Sequence, residues 1–315
     1  MREVFLGEYI RQRRLDMGLT QAQLCEGICE PATISRLENG QQTPNRNTIN
    51  ALLQRLGLPD DRYFALLNDH EVEIKALEDE ILADTIRYRR ASAEERPAIR
   101  ARALEKLSEL ENIAEPDDKI TQQYILHSMA SLGTPERLYT LAEQIELLMK
   151  AIRLTIPRFE LDEIGAFYYS LDESRIISQI ANAYGKAGQG EKSADIFKQL
   201  LEYVEAHDKE LTKYAGHLCL ITTNYAITLG ELGRYDEAIE LANKGWKTCI
   251  EYGHYQFLGS FIAILAESHF FKNNFAESIK FYHQACYIYD AVGDKRNLAI
   301  MRKEMKEHLG LNAPL

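Results

Sequence analysis

The sequence predicts an all-α chain: a small N-terminal bundle with a helix-turn-helix, followed by an α-solenoid of helical hairpins. Three observations carry this. Apolar residues recur at helical spacing along nearly the whole chain, and strand alternation is absent. A short helix, a glycine-containing turn and a second short helix lie between Thr20 and Gly40. Between Ser178 and Tyr282, a unit of two apolar helices and a turn occurs twice clearly and a third time loosely. Thr223 to Leu241 is the clearest copy. Ser193, Ala238 and Ser278 occupy the same point of the second helix, 45 and 40 residues apart. A small residue there lets the two helices of a hairpin approach closely.

The 315 residues suggest two domains or a long array, and a hydrophobic content of 45% is ample for a core. The net charge of −11 argues against a chain that coats nucleic acid or membrane along its length. Residues 1–58, however, hold seven Arg, no Lys and six acidic residues. A near-neutral head on an acidic body allows DNA binding to be confined to the head. Cys25, Cys29, Cys219, Cys249 and Cys286 are scattered, with no partner pair at zinc spacing. They read as reduced thiols, with no metal and no cofactor. The N-terminus lacks a signal-peptide apolar core, and no apolar run approaches the roughly 20 residues of a membrane span. A cytoplasmic protein without a membrane partner is expected.

The head is taken as residues 1–66. Phe5, Leu6, Ile10 and Leu15 give its first helix an apolar face, and Gly18 ends it. Thr20 caps a second helix, with Gln23 as its partner in a capping box. A turn around Gly27 leads to Pro31, well placed to open a third helix. Ile34 and Leu37 face inward, and Asn39-Gly40 stops that helix. A fourth, about Asn45 to Leu56, turns Ile49, Leu52, Leu53 and Leu56 inward.

Gly18-Leu19-Thr20-Gln21, then Leu24, then Ile34-Ser35-Arg36-Leu37-Glu38-Asn39-Gly40 resembles the phage-repressor (Xre or Cro/cI) type of DNA-binding domain. The resemblance implies a five-helix bundle whose third helix lies in the major groove. It implies that Gln21 touches phosphate or a base edge and that Pro31, Ala32 and Arg36 occupy base-facing positions. Pro31 and Ala32 offer only apolar contact, for example to a thymine methyl. Direct readout then leans on Thr33, Ser35 and Arg36; Arg36 either forks onto guanine or binds phosphate. Asn39, Gln42, Thr43, Arg46 and Asn47 are candidate phosphate contacts. Arg14 and Glu38 match an internal salt bridge of that family.

Residues 67–118 form a connector. Val72, Ile74, Leu77, Ile81, Leu82 and Ile86 recur near helical spacing, Ser92 and Glu95 resemble a capping box, and a second helix runs to about Asn112. The amphipathic stretch can pack on the body or pair with a second chain. The body, residues 119–315, opens with a hairpin of Ile120 to Ser131 and Glu136 to Ile152. An irregular stretch from Thr155 to Leu171 follows, then the repeats, then a closing helix from Leu298 to Leu309.

The repeats resemble tetratricopeptide repeats, with spacing above the usual value of about 34 residues. In that register Arg175, Gln179, Asn182 and Asn224 face a concave groove. The equivalent positions are Gln123, Tyr124 and His127 in the preceding hairpin, and Ser260, Ile264 and Glu267 in the third copy. A carboxamide donates and accepts at once, which suits an extended peptide. Asn is also common on exposed helix faces. The head, connector and repeat body together resemble the RRNPP quorum-sensing regulators, and within them the PlcR-like transcription factors. The Leu24-Cys25-Glu26-Gly27-Ile28-Cys29 stretch is close to that pattern. The resemblance implies a homodimer, a double-stranded DNA operator, and a short signalling peptide whose backbone is held by paired Asn residues; Asn182 and Asn224 match them. No phosphate-binding glycine loop or zinc motif points to an enzyme. A DNA-tethered interaction scaffold and a phage-type lysis–lysogeny peptide receptor use the same parts.

Overall fold

The fold is seen in a computed structural model, which describes residues 6–58, 69–207 and 211–312; among them every regular element is helical. The helices are α1 (Leu6–Asp16), α2 (Gln21–Cys25), α3 (Pro31–Glu38), α4 (Arg46–Arg55), α5 (Asp69–Arg90), α6 (Arg96–Ile113), α7 (Lys119–Leu132) and α8 (Leu141–Thr155). They continue with α9 (Leu171–Lys186), α10 (Gly190–His207), α11 (Leu211–Glu231), α12 (Tyr235–Glu251), α13 (Leu258–Phe271), α14 (Phe275–Ala291) and α15 (Lys295–Leu309). Short 3-10 segments, Leu161–Ala166 and Tyr255–Phe257, precede α9 and α13. Phe5 and the expected fifth head helix lie outside the described residues. The chain divides into two units, residues 1–85 with 100–180, and residues 86–99 with 181–315.

In the first unit, Ile10, Leu24, Ile34, Leu52, Leu53 and Leu56 are fully buried and knit α1 to α4 together. Burying each such side chain contributes about 1.5–3 kcal/mol. Leu15, expected to face inward, is 53% exposed. It ends α1 on the outer side, and Leu19 (4%) lies in the core just beyond. Thr20 and Gln23 form the expected capping box, and Asn45 caps α4 through its side chain. A second core joins α5, α6 and α7 through Ile74, Ile81, Leu104, Leu107, Leu110 and Ile125. Ser92 and Glu95 do hydrogen-bond reciprocally, but they close a turn just ahead of α6. The α7–α8 connection is longer than expected. Residues 133–140 are non-helical, because Thr140 and Glu143 form a capping box that starts α8 five residues later than Glu136.

In the second unit each helix from α10 to α15 packs on the next. The three small residues, Ser193, Ala238 and Ser278, are all fully buried. Ser193 meets Gly185 across the α9–α10 hairpin, where a Cβ on the glycine would stand 3.3 Å from the Ser193 Oγ. Ser278 donates to the Ala266 carbonyl at 2.8 Å. The closing helix α15 starts earlier than Leu298, because the Asp294 side chain caps it. Among the described residues, no helix is long and apolar enough to cross a membrane.

Candidate functional site

The helix-turn-helix is held from inside by one polar network. The Arg14 guanidinium donates to both Glu38 carboxylate oxygens, at 2.6 and 2.9 Å, and to the Leu19 carbonyl at 2.7 Å. All of this is buried, so the fork ties α1 to the end of α3 at a fixed angle. The Gln21 side chain belongs to the same network, donating to Glu38 at 2.8 Å.

On the outer side of α3, Pro31, Ala32 and Arg36 are exposed, while Thr33 and Ser35 are half-buried. The Arg36 guanidinium reaches Gln42 Oε1 at 3.4 Å. Asn39, Gln42 and Thr43 are exposed around it. The expected base-facing residues are therefore gathered on one open helix. Asn47 is half-buried on α4 and donates to Thr121 Oγ1 of α7 at 3.2 Å. The Arg46 side chain lies outside the described residues.

The head is also fastened to later helices of its own unit, which the sequence reading missed. Arg55, at the end of α4, donates to Glu173 of α9 at 2.9 Å, and both side chains are 2% exposed. The same guanidinium donates to the carbonyls of Leu24 and Glu26, at 3.1 and 2.7 Å. Arg158 pairs with Glu26 at 2.9 Å. Gly27 lies against the end of α8: its φ is +76°, and a Cβ there would fall 1.4 Å from the Thr155 carbonyl oxygen. Only glycine fits that turn, on both counts. One signal was available in the sequence, since Arg55 sits in register with the inward Leu52 and Leu56.

The expected peptide-facing residues separate into groups. Gln123 is buried and donates to the Ala151 carbonyl at 2.9 Å and to Thr155 Oγ1 at 2.7 Å, so its carboxamide is committed to the interior of the α7–α8 hairpin. Tyr124 donates its hydroxyl to the Glu78 carbonyl at 2.7 Å and packs on the α5–α7 core. Burial raises its phenol pKa, and burial also pushes the Glu78 carboxyl up to about 7 against the opposing pull of Lys75. His127 is half-buried. Gln179 accepts from Ser131 at 3.2 Å, and the exposed Arg175 pairs with Asp172 at 2.7 Å. In the second unit, Asn182 on α9 and Asn224 on α11 are half-buried, and Glu267 on α13 is exposed. Ile264 is buried and Ser260 half-buried. Side-chain hydrogen bonds to Asn182 or Asn224 are absent among the described residues, and each carboxamide can both donate and accept.

Residues 6–63 match the model of a helix-turn-helix domain, HTH_31. Residues 152–309, just over half of the chain, match the RNPP family C-terminal domain. The chain belongs to the RNPP family. Among solved structures, this RNPP protein is similar to Bacillus thuringiensis PlcR in complex with the peptide PapR7 and DNA. The identity is 22%, over 94% of this chain and 98% of that one, with a TM-score of 0.58. PlcR in its apo form matches at 19% identity over 95% and 98%, with a TM-score of 0.59. ComR from S. thermophilus, in complex with DNA and its signalling peptide ComS, matches at 15% identity over 97% and 99%, with a TM-score of 0.51. At these identities the likeness shows a shared fold. No curated protein sequence matches the chain.

Proposed function

We propose that this RNPP protein is a peptide-responsive, sequence-specific DNA-binding transcription regulator of quorum sensing, acting as a cytoplasmic homodimer and without enzymatic activity. Residues 1–66 bind the operator, residues 67–118 connect, and residues 119–315 bind the signalling peptide. The observation that carries the DNA side is the open outer face of α3, with Arg36 displayed on a helix whose inner face is locked by Arg14 and Glu38. Arg36 reads a base edge, Pro31 and Ala32 give apolar contact, and Asn39, Thr43 and Arg46 hold phosphate. The peptide side rests on Asn182 and Asn224, two half-buried carboxamides in one unit, each able to donate and accept. Glu267 is the accompanying charged contact. Gln123 and Tyr124 are left out of this reading because their polar groups are already engaged.

Peptide and DNA are coupled through a population shift. A tenfold effect of one on the other needs only about 1.4 kcal/mol. Isothermal titration with synthetic peptides cut from the C-termini of short open reading frames beside the gene tests the receptor. Micromolar or tighter binding, weakened by Asn182→Ala and Asn224→Ala, supports it. Binding that ignores both changes refutes the site, and no binding to any neighbouring peptide refutes the receptor.

A further inference from the structure

Toward the end of the array, alternate helices of the second unit carry carboxylates beside open aromatic rings. Glu231 ends α11, Glu267 lies on α13 and Glu304 on α15. They are 36 and 37 residues apart, so they hold one register position in three successive hairpins. Asn224 and Ser260 precede Glu231 and Glu267 by seven residues, two turns or about 10 Å along the same helix face. Ring contacts fix the geometry. α14 packs on both α13 and α15, which therefore run side by side in one direction. Near their ends the Phe270 and His308 rings stack, with centroids 4.3 Å apart and planes 8° apart. Glu267 stands one turn before Phe270, and Glu304 one turn before His308. The stack thus sets the two carboxylates opposite each other on neighbouring helices. Phe271, one turn beyond Glu267, stacks on Tyr235 at 5.0 Å, and its ring is still 45% exposed. Tyr282 of α14 lies buried beneath, hydrogen-bonded to His308 Nδ1 at 2.8 Å.

The carboxylates lack counter-charges of their own. Neighbouring Glu237, Asp236 and Glu307 pair with Arg234, Lys272 and Lys303. Among the described residues, Glu231, Glu267 and Glu304 are in no ion pair, and the buried Oε2 of Glu304 has no hydrogen-bond partner. Desolvation raises the Glu267 carboxyl, opposed by the His308 charge and helped by Glu231. Desolvation also pushes Glu304 up to about 7, helped by Glu267 and Glu307 and opposed by Lys303. Like charges held side by side disfavour ionisation, and a cation between them reverses that. A metal ion is not the fitting occupant, because no three His, Cys, Asp or Glu side chains converge to hold one among the described residues. A guanidinium does fit. It forks onto carboxylates, stacks on a ring and is weakly hydrated.

We propose that Glu267 and Glu304, with the exposed Phe271 ring beside them, form a subsite for one basic side chain of an extended peptide, Arg in preference to Lys. This rests on the peptide-receptor reading above and gives that peptide a chemical class. The guanidinium lies between the two carboxylates, and its apolar stem lies over Phe271. Asn224, on the same face, holds peptide backbone and is indifferent to side chains, whereas the carboxylate pair selects by charge.

The full chain is mixed with a random-sequence library of short synthetic peptides, and the retained peptides are sequenced by mass spectrometry. The retained pool is expected to be enriched in Arg, and less so in Lys, at one position. The enrichment is lost when Glu267→Gln and Glu304→Gln are combined, and it is kept in Glu240→Gln, an exposed carboxylate of α12. A selected peptide is then remade with citrulline, which keeps the shape of Arg without its charge. Titration of the wild-type chain should show citrulline about tenfold weaker than Arg, a readout that needs no variant. In the double Gln variant the two peptides should bind alike. A retained pool without basic residues overturns the subsite and leaves the receptor standing. So does a citrulline penalty equally large in both proteins, which places the cation elsewhere. A chain that retains no peptide overturns the receptor reading and the subsite with it.

Discussion

Removing the Glu173 carboxylate tests the account of how the head is seated. Arg55 and Glu173 are each 2% exposed, so water cannot solvate the guanidinium once its partner is gone. Two backbone carbonyls, of Leu24 and Glu26, still accept from it, but they carry no charge to balance it. Breaking such a pair from one side costs about 3–5 kcal/mol. Glu173→Ala also removes the acceptor for the Ser170 amide, adding about 1 kcal/mol of lost capping. Glu173→Gln keeps an acceptor for that amide and removes the charge, so the difference between the variants isolates the cap. Arg55→Met combined with Glu173→Met leaves no orphaned charge, and its cost is expected to fall well below the sum of the single changes. Because the chain has two units, a single denaturation midpoint is a poor measure. Native-state hydrogen exchange of the α4 amides reads the local opening energy directly. A Glu173→Ala variant whose α4 amides open within about 1 kcal/mol of wild type, or a double variant with additive costs, would refute the reasoning.

Four further outcomes follow from the same structure. Arg36→Ala is expected to leave thermal unfolding unchanged and to relax discrimination at one base pair of a selected duplex by about 1–3 kcal/mol, read by fluorescence anisotropy; equal weakening on every sequence would reassign Arg36 to phosphate. Asn182→Ala and Asn224→Ala should each weaken peptide binding by about 0.5–1.5 kcal/mol in titration calorimetry, with unaltered circular dichroism. Glu78, half-buried and raised to about 7 by desolvation, is protonated in the folded chain at acidic pH and has to ionise inside it above neutrality. Its contribution is fully present below the ordinary carboxylate range and is lost as pH rises toward 7, so Glu78→Gln should be neutral near pH 4 and stabilising by about 1–3 kcal/mol near pH 8; equal stability of the two proteins at pH 8 contradicts it. Gly245 on α12 faces the Phe261 ring, where a Cβ would stand 2.2 Å from ring carbons. Gly245→Ala should therefore lower the second unit's stability by about 1–3 kcal/mol, read by native-state hydrogen exchange of the α12 amides, and unchanged exchange would show that the ring can move aside.

Much of the fold was legible because local signals and burial agree. Pro31, the Thr20–Gln23 box and Ser193, Ala238 and Ser278 all act as their chemistry dictates. The errors lie where two local signals compete. Glu136 follows a proline and favours a helix, but the Thr140–Glu143 box satisfies more orphaned amides and fixes the start of α8 instead. At the candidate peptide site, register alone put Gln123 and Tyr124 beside the Asn residues. Periodicity assigns a face, whereas a hydrogen-bond partner such as the Ala151 carbonyl is set by a neighbouring helix that no local pattern specifies.

The missed contacts of the head follow the same logic and explain why an ion pair was hard to anticipate. An apolar residue at position 55 would have continued the inward face of α4, and such a replacement for a buried pair is often neutral or stabilising. What an apolar contact lacks is direction. Arg55 has donors aimed at Leu24, Glu26 and Glu173 at once, and Glu173 in turn accepts from the Ser170 amide. Rotating the head away from α9 breaks those bonds together, whereas a greasy contact slides. The pair therefore contributes little net stability and a well-defined seat. The same property makes the turn at Leu24 to Cys29 sensitive to any modification that moves its carbonyls.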